Sequence, residues 1–106
     1  MKTKYAVWYM KPSFFATGVL GGMPDPKDLS ATHVHLTDLE LDGNSASLER
    51  AWVAMQGENW SPRGEAAPLI EAKGLLHTSM SVGDILVVDG EAFIAAMVGF
   101  QSLGPC

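Results

Sequence analysis

The sequence predicts one α+β domain over residues 1–106: a small antiparallel or mixed sheet of about four strands, one main helix packed on it, and a C-terminal β-hairpin. Three observations predict it. Runs rich in aromatic and β-branched residues recur at 5–10, 32–41, 85–88 and 92–100. A single long amphipathic stretch lies between them at 45–56. The last two runs are joined by Asp89-Gly90, a dipeptide suited to a two-residue hairpin turn. Such a pattern is that of a sheet with a helix laid across one face.

Each element has its own warrant. Tyr5 to Met10 is bounded by Pro12 and reads as the first strand. Phe14 to Asp28 holds Gly18, Gly21, Gly22, Pro24 and Pro26, which interrupt regular structure and predict a long loop. Phe14, Phe15, Val19, Leu20 and Met23 are expected to anchor that loop. In Thr32 to Leu41, Val34 and Leu36 alternate with His33, His35 and Thr37, after which Leu39 and Leu41 change parity. One extra residue near Asp38 would reverse the inward face and restore the pattern. Leu48, Ala51, Trp52 and Met55 then form one helical stripe, with Ser45 or Ser47 as N-cap and Gly57 just past the end. A short helix at Pro68 to Lys73, closed by Gly74, follows. The expected core is Val7, Val34, Leu36, Leu48, Trp52, Met55, Ile85, Val87, Ile94 and Val98.

Composition narrows the function. Seven basic against twelve acidic residues give a net charge of −5 with no basic cluster, which argues against binding duplex nucleic acid. Only 18% of residues are charged while 47% are apolar, so a sticky face for a protein partner or a homodimer is expected. The lone cysteine, Cys106, excludes a disulfide framework and is expected to fray with the terminus. No apolar run reaches the roughly 20 residues of a membrane helix. The cytoplasm is the expected compartment, and no cofactor motif stands out.

Two segments suggest a surface site. Met55 to Glu65 places Trp60 among turn residues, with Glu58, Asn59 and Arg63 beside it, and Trp and Arg are enriched among binding hot spots. His77 to Asp84 contains Thr78, Ser79 and Ser81, whose hydroxyls suit local backbone bonds, and Asp84 is placed to accept several. A docking patch built from Glu58, Asn59, Trp60, Arg63, His77, Ser79, Ser81 and Asp84 is therefore expected. The same stretch lacks a nucleophile elbow, which argues against a Ser-His-Asp hydrolase. A single-stranded nucleic-acid or nucleotide binder using Trp60 and Arg63 is an alternative, as is a metal-dependent hydrolase built on His33, His35 and His77.

The last quarter, Leu76 to Ile85 followed by Val88-Asp89-Gly90 and Val98-Gly99-Phe100, resembles the YodL-like domain family of bacterial mobile elements. The shared pattern is a hydroxyl-rich loop, a strand, a turn and a strand ending in Gly-Phe. The resemblance implies an accessory protein of a plasmid, phage or integrative element. It carries no catalytic mechanism onto these residues. The negative charge, the sparse charged residues and the Trp60 turn make a protein-binding module that modulates a host or defence machine the expected function.

Overall fold

The computed structural model describes residues 2–14, 24–43, 47–56, 66–75 and 78–106. Five strands form one antiparallel sheet: β1 (Lys2–Met10), β2 (His33–Asp42), β3 (Ile85–Val88), β4 (Glu91–Ala95) and β5 (Phe100–Pro105), in the order β2-β1-β3-β4-β5. The fold is a small, mostly β member of the α+β class, with five strands where about four were expected. Because β2 and β3 flank β1 and both oppose it, the chain between them must cross one face of the sheet. Helices α1 (Leu48–Ala54) and α2 (Ala66–Ala72) lie on that crossing. No helix among the described residues is long and apolar enough to span a membrane.

Alternation along β1 divides the interior. Tyr5, Val7 and Tyr9 are wholly buried and meet Ala51, Met55, Ile70, Leu75, Leu86 and Val88 on the helical face. The even positions face the other way, where Trp8, Val87, Ile94 and Leu103 surround Ile85, Ala92 and Leu29. Both tyrosines also tie the crossing segment to β1. The Tyr5 hydroxyl accepts the Ser47 N–H at 2.8 Å, and the Tyr9 hydroxyl donates to the Thr78 carbonyl at 2.7 Å. Ser47 is the N-cap of α1, its side chain accepting the Arg50 N–H.

The parity change in β2 has the expected cause at a slightly different place. Val7 pairs with Thr37 and Trp8 with His35, so the extra residue is Leu36, two positions before Asp38. Leu36 turns into the core, and Leu39 and Leu41 then face the helices opposite Tyr5 and Thr3. The bulge moves Thr37 opposite Val7, away from the face of His33 and His35, so the expected trio is broken.

At the Asp89-Gly90 turn both residues have positive φ, 53° and 78°, as a type I′ turn requires. The run 92–100, expected as one strand, is two. The Ala96 N–H donates to the Gly99 carbonyl and Gly99 takes φ 67°, turning the chain back as β5. Val98, expected in the core, therefore sits at a hairpin tip and is 91% exposed. The terminus does not fray as expected: β5 runs to Pro105, and the Cys106 N–H donates to the Gly90 carbonyl while its thiol stays exposed. α2 ends as anticipated at Gly74, where Leu75 N–H reaches Ile70 O and Gly74 N–H reaches Glu71 O. α1 is shorter than the expected 45–56 at both ends, starting after its N-cap Ser47 and closing at its C-cap Met55.

Candidate functional site

Two regions stand out, and the sequence singles out only the first of them. The first is the corner where the hydroxyl-rich stretch enters β3. Asp84 is buried, and its carboxylate accepts the Met10 N–H and the Ser81 N–H, each at 2.8 Å. Its own N–H donates to the Ser81 carbonyl and its carbonyl accepts from Ala95. The side chain therefore joins β1 to its own turn, the backbone-binding role its position suggested, while the Asp84 main chain makes the bond to β4. Ser81 Oγ donates to the Ser79 carbonyl, and both serines are half-buried.

His33 closes the same corner. One ring nitrogen, Nε2, lies 2.7 Å from the Gly83 carbonyl and must carry the proton, because a carbonyl only accepts. Nδ1 then accepts from the Thr32 hydroxyl, also at 2.7 Å. Burial lowers the His33 pKa below its usual 6.5, a shift that Lys11 adds to and that the Gly83 carbonyl and Asp84 oppose. Burial, and secondarily Asp84, pushes the Tyr9 hydroxyl well above its usual range. Both groups are thus held neutral.

This geometry bears on the metal reading. His33 has both ring nitrogens engaged by the protein, and His35 Nε2 lies 2.9 Å from Asp38 on the exposed side of β2. Among the described residues no three His, Cys, Asp or Glu side chains converge to hold an ion. The third candidate ligand, His77, lies outside the described residues.

Glu58, Asn59, Trp60 and Arg63 also lie outside them. The residues that lead into that turn do meet the hydroxyl-rich stretch. The Met80 N–H donates to the Met55 carbonyl, and Gln56 Nε2 donates to the Met80 carbonyl. On the second sheet face, Trp8 packs against His35 with ring centroids 5.3 Å apart. Asp38, Glu40 and Asp42 share that face, opposite Ala6, Lys4 and Lys2. Three carboxylates beside the exposed aromatic edge disfavour phosphate binding there.

The second region went unrecognised in the sequence. A groove of about 410 Å³ lies between α1 and the β4–β5 turn, lined by Glu49, Trp52, Val53, Ala96, Met97, Gly99 and Phe100. Its floor is an edge-to-face pair, Trp52 against Phe100, with centroids 6.1 Å apart. Its walls are mostly apolar, with Glu49 among them, and open to solvent: Met97 is 92% exposed, Val98 beside it 91% and Val53 63%. The one sequence signal was strand length. A nine-residue run ending in Val98-Gly99-Phe100 exceeds the usual five or six residues, and its glycine marks a turn.

The chain matches no family model, and no curated protein or solved structure was found to be similar to it.

Proposed function

We propose that this chain is a non-catalytic protein-docking module that engages its partner through the groove between α1 and the β4–β5 turn. One observation carries the reading: Met97 and Val98 stand almost fully in water at a hairpin tip, directly beside an apolar groove. Scattered apolar residues on a surface are ordinary, but a contiguous patch with an aromatic floor is characteristic of interaction sites. A sequence with 18% charged residues has little charge with which to mask it. The ionisable groups of the Asp84 corner are engaged with backbone, which favours a structural role for them over catalysis. The likeness of the C-terminal quarter to the YodL-like domain supports placing the module among accessory proteins of bacterial mobile elements, acting on a host or defence machine.

A photoreactive residue at position 98, with one at Glu40 on the opposite sheet edge as control, tests this in cells. Protein adducts from position 98 alone are expected. Equal adducts from both positions, or none from either, would remove the groove as a docking face.

A further inference from the structure

We infer that the partner's anchor in this groove is an arginine side chain, its alkyl stem against Met97 and Val53 and its guanidinium on the aromatic floor beside Glu49. The inference rests on the docking reading above and gives the partner's recognition chemistry. Two features of the lining set different demands. Trp52, Val53, Met97 and Phe100 favour an apolar cover that takes them out of water. Glu49 lines the same groove, and among the described residues its carboxylate has neither an ion pair nor a hydrogen bond. The cation next to it in sequence, Arg50, is committed elsewhere: its Nη1 donates to the Asp42 carbonyl at 2.7 Å. A wholly apolar occupant would therefore bury a carboxylate without a counter-charge, which is costly.

The placement of the lining says which cation fits. Glu49 and Trp52 are three residues apart in α1, a spacing that sets side chains next to each other on one helix face. A carboxylate thus stands beside an indole, and a cation over the face of a tryptophan is drawn to the ring's negative quadrupole. The Phe100 ring meets Trp52 at 81°, which adds a second aromatic surface to the same floor. Arginine meets every demand at once. Its stem packs on apolar walls, its planar guanidinium stacks on aromatic faces, and its fork of donors matches a carboxylate. Lysine's compact, strongly hydrated ammonium stacks less well. The chain's net charge of −5 also favours approach of a cationic segment, an attraction that added salt should weaken.

The test is a nuclear magnetic resonance titration of the isotope-labelled chain with acetyl-leucyl-arginyl-leucine amide. A parallel titration uses the same peptide carrying citrulline, the uncharged isostere of arginine. Shifts of the Trp52 indole N–H and the Met97 and Gly99 amides report the groove, and the Trp8 indole on the other sheet face is the control. The arginine peptide should bind about three- to tenfold more tightly than the citrulline peptide, with the gap narrowing as salt is added. Glu49→Gln, an exposed change that leaves the apolar lining in place, should reduce the gap by about half or more. A gap that is unchanged in Glu49→Gln overturns the inference. Equal binding of the two peptides at the groove, weakened alike by Met97→Ser, overturns the arginine assignment and leaves the docking reading standing. If neither peptide shifts the groove resonances the inference falls, and the adducts from position 98 decide the docking reading separately.

Discussion

The Asp84 corner and the Met97 tip are opposite solutions to opposite problems. At the corner polar groups are buried, and each has a backbone partner: the Asp84 carboxylate holds two N–H groups, and His33 spans Thr32 and Gly83. At the tip apolar groups are exposed, and none of the described residues covers Met97 or Val98. A buried carboxylate without partners would be costly, so satisfied ones read as architecture. Exposed apolar side chains gain little for the folded monomer, which is why the proposed docking role is placed on them. The residue types most often linked with chemistry thus hold the fold together here, while a Met-Val pair carries the proposed docking site.

Mutating the two regions should separate these roles, and the corner should respond most. Asp84→Ala leaves the half-buried Met10 and Ser81 N–H groups without their acceptor, which should cost about 2–3 kcal/mol. A urea midpoint should fall accordingly with an unchanged slope. Asp84→Asn, which keeps one acceptor oxygen, should lose about half as much. A loss below about 1 kcal/mol for the alanine variant would show that water replaces the carboxylate, and the contrast would collapse.

Gly83→Ala probes the same corner through the backbone. Gly83 has φ 97°, and an added Cβ would come 2.9 Å from the Met10 methyl carbon. That methyl ends a flexible side chain and can move, so most of the cost lies in the left-handed conformation, about 1–2 kcal/mol. Gly90→Ala, at φ 78° with open space around the new Cβ, reports the backbone cost alone. Equal losses for the two variants would mean that the contact with Met10 contributes nothing.

These residues also mark how far sequence reasoning reached. The Asp89-Gly90 turn and the Leu48, Ala51, Trp52, Met55 stripe were legible because both are set by neighbours within a turn or two of chain. The bulge was legible in kind but not in place, because its position depends on how β2 pairs with β1. His33 read as a polar residue on a wet strand face. Its burial comes from the Gly83 turn, 50 residues away, with the Phe14 ring 6.0 Å from its own. The groove was illegible for the same reason. Trp52 and Phe100 meet across the fold, and apolar periodicity cannot tell a buried valine from one at a hairpin tip.

A smaller effect should follow from pH. Burial lowers the folded pKa of His33 below its ordinary 6.5, so between those two values the unfolded chain binds more protons than the folded one. Stability from the neutral imidazole is therefore complete above about pH 6.5 and is lost as pH falls toward the folded value. Asp38, held low by its bond to His35, loses its contribution only below the usual carboxylate range, outside that window. The urea midpoint should decline as pH falls below about 6.5 in wild type and decline less in His33→Gln, which can still donate to Gly83 but does not titrate there. Parallel curves would assign the decline to another group.

The smallest effect on stability should come from the tip, and its smallness is informative. Met97→Ser and Val98→Ser remove apolar atoms that are more than 90% exposed in the folded chain and equally exposed when it is unfolded. Burial energy therefore does not change, and urea midpoints in dilute solution should move by no more than about 0.5 kcal/mol. Trp52→Ala tests the neighbouring floor, where a half-buried ring packs against Phe100 and the core, and should cost about 2–3 kcal/mol. A cost at Met97 approaching that of Trp52 would mean the tip folds back over the groove in solution. The patch would then be core that the monomer already covers, and the contrast with the Asp84 corner would disappear.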